Sequence, residues 1–350
     1  MRVSGSRVVL SNSDSAAGVH VEEGDYISHL RSFQGGLEYS GYRGKVSPAY
    51  TVLRPSRKIH PGYFKYLFKS SMYVQALQTT TDQLRDGQSI RYQQFGQIPL
   101  PVPPLDEQRR IADFLDFETA KIDALIAKQE QLIATLDERL NALLRLLGTR
   151  GNRKDVELKS ASSTWLNGEL IPSHWMELPI SRLLDLRSGT GITSESIDDD
   201  GEYPVFGGGG VRGFTDTFTN EGDFVLIGRQ GGAGLITRVS GRFFASEHAI
   251  VCYPLVTLDL DWIAAVLEVM DLGQYSQSSA QPGISVDRIR RVRLPAPPLA
   301  EQKEIGQIVR EEGASIRFLS SKAAKCIELL SERRQALISA AVTGKLEVGV

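Results

Sequence analysis

Cysteine is scarce in this chain. Cys252 and Cys326 are the only two in 350 residues, they lie far apart, and neither belongs to a CxxC pair or a histidine cluster. That excludes a disulfide framework, offers no ligand set for a metal, and fits reduced thiols in a cytoplasmic protein. Long apolar runs are missing as well. No run reaches the roughly 18 residues that cross a bilayer, and there is no signal-peptide core at the N-terminus. Excess charge of one sign is also lacking, since 40 Lys and Arg oppose 42 Asp and Glu. The balance argues against a wholesale polyanion binder, but local Lys and Arg clusters can still hold DNA. The five histidines are scattered and no Gly-x-x-x-x-Gly-Lys loop exists, which removes the phosphate-cradling nucleotide motif.

One stretch, by contrast, is present twice. Residues 98–151 and 292–345 align without a gap at an offset of 194, with 20 of 54 residues identical. Each copy opens on a proline-rich approach, Leu100-Pro101-Val102-Pro103-Pro104-Leu105-Asp106-Glu107-Gln108 against Leu294-Pro295-Ala296-Pro297-Pro298-Leu299-Ala300-Glu301-Gln302. Prolines forbid helix there, and Asp106 can cap a helix that starts just beyond them. From Glu107 to Leu147 there is neither Gly nor Pro, which predicts about 60 Å of helix at about 1.5 Å per residue. The expected spans are 106–147 and 300–342, each pattern running out at a threonine, Thr149 and Thr343.

Both helices carry an apolar stripe in a seven-residue rhythm. In the first, Leu115, Ile122, Leu136 and Leu143 share one position, Leu125, Leu132 and Leu146 a second, with Ile126, Ile133, Leu140 and Leu147 beside them. In the second the stripe is Val309, Ile316, Leu330 and Leu337, with Leu319, Cys326 and Ile327 alongside. Stripes this long need a partner, and matching phase predicts mutual packing as an antiparallel coiled coil. Glu118 and Glu312, and Arg139 and Arg333, interrupt the stripes at matching places, either as register-setting ion pairs or as solvated flanks.

A Gly-rich module with short strand-like runs precedes each helix. The two modules share Glu23-Gly24-Asp25-Tyr26 with Glu221-Gly222-Asp223-Phe224, Gln34-Gly35-Gly36 with Gln230-Gly231-Gly232, and Ser47 with Ser246. Each holds one helical patch, Tyr63–Leu77 (with Phe64, Leu67, Phe68 and Met72 on one face) and Asp261–Leu272. A shared scaffold with different surface residues predicts two recognition sites of different specificity. The expected organisation is a module over 1–97, the first repeat over 98–151, a linker over 152–171 within a polar stretch starting at Gly148, a module over 172–291, and the second repeat over 292–345.

Taken together, these features resemble the specificity subunit of type I restriction-modification enzymes over nearly the whole chain. The resemblance rests on the twice-used Pro-Pro-Leu-x-Glu-Gln, on Ile171-Pro172-Ser173-His174-Trp175, and on the ending Ala336–Leu346. Glu23–Tyr26, Ser32–Gly36 and Val46–Tyr50 look like that family's target recognition domains. The resemblance implies an α/β (α+β) chain with two mixed α/β target recognition domains joined by two long helices in an intramolecular antiparallel coiled coil, with a pseudo-twofold repeat. It also implies a non-catalytic subunit that reads a bipartite site in double-stranded DNA, docks two modification subunits and a restriction subunit, and serves methylation of adenine. By comparison of the modules, 51 residues (171–221) precede Gly222 but 23 precede Gly24, so the first module is expected to lack at least 28 residues.

Arginine and glutamine pair bidentately with guanine and adenine edges. The candidate DNA-binding residues are Arg31, Gln34, Tyr42, Arg43, Lys45 and Arg91 in the first module, and Arg212, Arg229, Gln230, Arg238 and Arg242 in the second. About half are expected to touch DNA, many of them at phosphates. Phe206-Gly207-Gly208-Gly209-Gly210 fits a methyl-donor loop, but the motif that holds a target amine is absent, so a flexible loop is the better reading. Asp198-Asp199-Asp200 reads as a solvated turn rather than a Mg²⁺ site, and Glu157-Leu158-Lys159 lacks the rest of a nuclease motif. No catalytic residue, metal or cofactor is therefore expected. Two other readings stay open: a coiled-coil scaffold that binds protein rather than DNA, and an autonomous methyltransferase.

Overall fold

The computed structural model describes residues 18–28, 35–56, 58–79, 96–276 and 283–348. They form two compact units, 1–131 with 323–350, and 132–322. In chain order the strands and helices of the first are β1 (Val19–Val21), β2 (Tyr26–Ser28), β3 (Glu38–Tyr39), β4 (Gly44–Val46), β5 (Thr51–Leu53), α1 (Pro61–Leu67) and α2 (Ser71–Thr79). Helix α3 (Leu105–Arg150) begins in the first unit and ends in the second. The second unit continues with β6 (Leu158–Ser160), β7 (Leu170–Pro172), β8 (Met176–Pro179), β9 (Leu184–Ser188), β10 (Tyr203–Gly207), β11 (Gly210–Thr215) and β12 (Asn220–Glu221). Then come β13 (Phe224–Gly228), β14 (Ile236–Val239), β15 (Arg242–Ala245), β16 (Ala249–Pro254), α4 (Leu260–Val269) and β17 (Arg293–Ala296). Helix α5 starts as Leu299–Ile308, passes through a π-helical turn at Val309–Gly313 and continues over Ala314–Val342.

The two modules each have a central sheet of the same arrangement. In the first unit β2 lies between β3 and β5; in the second β13 lies between β14 and β16, all antiparallel. The matching glycines Gly24 and Gly222 both take positive φ, +93° and +121°, one residue before Asp25 and Asp223, so the shared motif turns the chain into the central strand. By its φ and its place two residues ahead of the next strand, Gly36 (+74°) corresponds to Gly234 (+90°) rather than to Gly232, the match expected from the sequence. A Cβ on Gly36 would sit 1.8 Å from the Phe68 carbonyl oxygen, and one on Gly234 2.3 Å from the Gly273 nitrogen. The second unit adds β9 beside β16, and a four-stranded sheet ordered β11-β10-β15-β12 in which β10 and β15 run parallel.

The helical patch expected over Tyr63–Leu77 is two helices. Ser70 separates them, its hydroxyl accepting the Tyr73 N–H at 3.3 Å as a cap. The break leaves Phe64, Leu67 and Phe68 buried but turns Met72 out to 37% exposure. Helix α3 also runs past Gly148 and stops before Gly151, whose φ of +70° provides the left-handed C′ position. The segment expected as linker contains β6, paired with β7.

The long helices pack antiparallel within each unit. In the first, Ile111, Ala112 and Leu115 share a core with Ile338, Ala341 and Val342, and Arg334 Nε donates to Asp123 Oδ1 at 2.8 Å. In the second, Leu136, Leu140, Leu144 and Leu147 join Ile305, Val309 and Ile316 around Trp175 and Trp262. The inward positions 111, 115, 119, 122, 126, 129, 133, 136 and 140 match 305, 309, 313, 316, 320, 323, 327, 330 and 334 one for one. The stripe is therefore narrower than expected. Leu125, Leu132, Leu146 and Leu319 stand outside the seam, each between 44 and 52% exposed. Glu118 pairs with Lys121 on its own helix, and the ion pair that crosses between helices in the first unit is Asp123–Arg334.

The repeated Glu-Gln has a definite role in each unit. Gln108 accepts the His60 N–H at 2.8 Å and donates to the Pro103 carbonyl at 2.7 Å. Gln302 accepts the Asp259 N–H at 3.1 Å and donates to the Pro297 carbonyl at 2.9 Å. His60 and Asp259 are the N-cap residues of α1 and α4. The same glutamine thus straps the start of the module helix to the start of the long helix.

Candidate nucleic-acid interface

In the second unit, two Gly-rich loops pack backbone on backbone. Gly208 and Gly209 form the turn of the β10–β11 hairpin, closed by the Gly207–Gly210 pair. A Cβ on Gly208 would lie 1.8 Å from the Gln230 carbonyl oxygen, and one on Gly228 would lie 2.0 Å from that of Gly232. The 206–210 segment is therefore a packed turn rather than the flexible loop expected, and its glycines are explained by close approach.

Beside this contact lies a pocket lined by Arg212, Gln230, His248 and the glycines of the two loops. Arg212 projects from β11, Gln230 follows β13, and His248 precedes β16. Among the described residues the Arg212 guanidinium has no hydrogen-bond or ion-pair partner. Gln230 is exposed, and its Oε1 lies 3.1 Å from His248 Nδ1. His248 Nε2 lies 3.2 Å from Glu247 Oε1, while Glu247 Oε2 accepts the Ile192 N–H at 3.3 Å. Arg229 is half-buried, with Nη1 donating to Ser188 Oγ at 3.3 Å.

The remaining candidates of this module lie elsewhere. Arg238 on β14 donates to the Asp261 carboxylate at 3.1 Å and to the Phe224 carbonyl at 2.9 Å, which ties strand to helix. Arg242 on β15 pairs with Glu221 at 3.1 Å and stacks on Phe218 at 5.0 Å; hydrogen bonds to Tyr203 and Glu221 raise its pKa. The acidic run is exposed, with the Asp198 backbone bridged to Phe214. Lys159 Nζ donates to the carbonyls of Ser173, at 2.9 Å, and Trp175. No group of three or more His, Cys, Asp or Glu able to hold a metal occurs among the described residues.

In the first unit Tyr42 is 61% exposed, Arg43 pairs with Glu22 at 3.4 Å, and Lys45 on β4 stands opposite His20. Arg31, Gln34 and Arg91 lie outside the described residues.

Sequence reading missed Glu247 and His248, yet a signal was present. Ser47 Oγ accepts the Ala49 N–H at 3.3 Å, and Ser246 Oγ accepts the His248 N–H at 3.4 Å. The turn is the same in both modules, so the residues after the shared serine, Pro48-Ala49 and Glu247-His248, are where the scaffold allows variation.

The opening Ile171-Pro172-Ser173-His174-Trp175 is a structural clasp. Ile171 and Trp175 are fully buried, and His174 Nε2 contacts Glu301 Oε2 at 2.9 Å in the first turn of α5. Among the described residues, no helix is long and apolar enough to cross a membrane.

Comparison with known proteins accounts for both modules at once. Residues 6–135 and 172–323 match the family described as the type I restriction modification DNA specificity domain. The EcoprrI specificity subunit of Escherichia coli is 35% identical over 135 residues, 37% of this chain, and the match spans 34% of that protein's length. The Escherichia coli EcoKI specificity subunit is 25% identical over 84% of this chain and 68% of its own. A solved chain from a type I R-M system superposes with a TM-score of 0.67 over 96% of this chain and 85% of its own, at 17% identity, which establishes a common fold. With two matched segments, one in each module, the chain belongs to the type I restriction modification DNA specificity domain family.

Proposed function

We propose that this chain is the sequence-specific DNA-binding subunit of a type I restriction-modification complex. In this reading, residues 1–97 and 172–291 are two target recognition domains that read the halves of a bipartite site. The paired long helices dock two modification subunits and a restriction subunit. The chain itself carries no catalysis and works in the cytoplasm. One observation carries the reading: the family match covers two modules that repeat one scaffold, with differing side chains after the shared serine turn and on the Gly-rich loops.

Within the second module, Arg212 and Gln230, which line one pocket, and Arg229, next to Gln230 in the chain and bonded to Ser188, are the residues for base edges, since guanidinium and amide groups are the donors suited to base recognition. Arg242 suits a phosphate. Arg238 is better assigned to the scaffold, because its guanidinium is already committed to Asp261 and Phe224. In the first module Arg31, Gln34, Tyr42, Arg43, Lys45 and Arg91 remain the DNA-facing set.

The test is methylated-site sequencing of cells that carry this chain with its modification subunit. A bipartite methylated motif with adenine as acceptor is expected. A contiguous palindrome points instead to paired copies of the second module, and methylation without any motif overturns the reading. Purified chain alone should neither methylate nor cleave DNA; methyl transfer abolished by changes in 206–210 would favour an autonomous methyltransferase.

A further inference from the structure

The hydrogen bond between His248 and Gln230 constrains what the pocket can read. His248 Nε2 lies 3.2 Å from Glu247 Oε1. Nδ1 faces the Gln230 carbonyl oxygen at 3.1 Å, and an amide oxygen only accepts, so Nδ1–H is the donor of this bond. Glu247 is itself held by the Ile192 N–H, while Arg212 shares the pocket and Arg229 N–H donates to the His248 carbonyl at 2.8 Å. With its oxygen engaged, the Gln230 amide has its NH₂ group left to offer.

We propose that His248 is a positioning residue that fixes the Gln230 amide with its NH₂ outward, so that Gln230 selects a base with an acceptor edge, guanine or thymine. A freely turning glutamine would instead suit adenine, which needs one donor and one acceptor. Against adenine the fixed amide can donate to N7 but faces the N6 amino group donor to donor, so the two-point contact of a turning glutamine is lost. This inference rests on the second module reading DNA, and it names how one position of its half-site is chosen.

The experiment uses the complex of this chain with its modification subunits, and reads base preference at each position of the methylated motif. In the wild type, one position of the second half-site should favour guanine or thymine over adenine by roughly 5- to 150-fold, the range of a good edge contact. Gln230→Ala should relax that position alone. His248→Ala frees the amide to turn, so adenine should be admitted at the same position to within about 2-fold of the wild-type base. His248→Asp places an acceptor-only oxygen where Nδ1 stood, turns the amide over, and should invert the preference towards adenine.

Should Gln230→Ala relax a position while both His248 variants keep its base, the positioning role is wrong and DNA reading by the pocket stands. Adenine preferred by the wild type at that position also overturns the inference. Uniform loss of methylation by the His248 variants, together with a lowered melting temperature of the complex, would assign His248 to the scaffold alone. If neither Gln230→Ala nor Arg212→Ala changes the motif, the pocket is not a base reader and the site assignment falls as well.

Discussion

Gln302→Ala tests the physical meaning of the repeated Pro-Pro-Leu-x-Glu-Gln. The side chain is 6% exposed and satisfies two backbone groups, the Asp259 N–H and the Pro297 carbonyl. Truncation leaves both without a partner, and each buried orphan costs about 1–3 kcal/mol. The second unit should therefore lose about 2–6 kcal/mol of stability. At roughly 2–4 °C per kcal/mol for a domain of this size, the melting transition should fall by about 4–24 °C. Gln108→Ala should act alike on the first unit, where the glutamine is 1% exposed and holds His60 N–H and the Pro103 carbonyl. Gln307, bonded to Glu311 on an exposed helix face, provides the control, with an expected change within about 0.5 kcal/mol. Calorimetry of the three variants gives the answer. A Gln302→Ala transition within a degree of wild type would refute the strap, since the freed groups would then have found other partners.

Leu136→Asp should be severely destabilising, because Leu136 is 7% exposed in the helix seam and a carboxylate there has no partner; a melt within a degree of wild type would move the seam elsewhere. Burial raises the Glu177 pKa, but donors from Ser162 and Ser163 outweigh it and hold the carboxyl below its ordinary value. The folded state thus favours the carboxylate, a stabilisation present above the unfolded pKa and lost as pH falls through the folded one. Glu177→Gln should be less stable than wild type at neutral pH, and the gap should close on acidification through the carboxylate range, as monitored by denaturant titration. Arg229→Ala should cost about 1–3 kcal/mol of binding and relax one base, whereas Arg242→Ala should weaken binding to all sequences and flatten its salt dependence. Equal effects of the two on specificity in competition binding would undo that division.

Much of the architecture is determined by local chemistry and was legible in the sequence. Prolines 103–104 and 297–298 place both helix starts, the matching 194-residue offset carries over to the buried positions, and paired motifs such as Glu-Gly-Asp correctly announced one scaffold used twice. These features depend on backbone geometry and periodicity, which a sequence states directly. Which leucines fill the seam could not be read the same way, because Leu125 and Leu132 are as apolar as Ile126 and Ile133, and only the partner helix decides which row is covered. The π turn at Val309–Gly313 was equally unannounced; at the matching place Thr119 holds an α turn through its hydroxyl bond to the Leu115 carbonyl, a bond that Gly313 cannot make. The site shows the same division. Composition singled out arginines and glutamines, but only the folded chain commits Arg238 to Asp261 and leaves Arg212 free among the described residues. It also brings Glu247 and His248 to Gln230, which is 18 residues from His248 in sequence, because β13 and β16 pair antiparallel and carry their flanking loops to the same edge. Side-chain identity sets what each group can donate or accept; pairing of distant strands decides which of those groups still has something to offer.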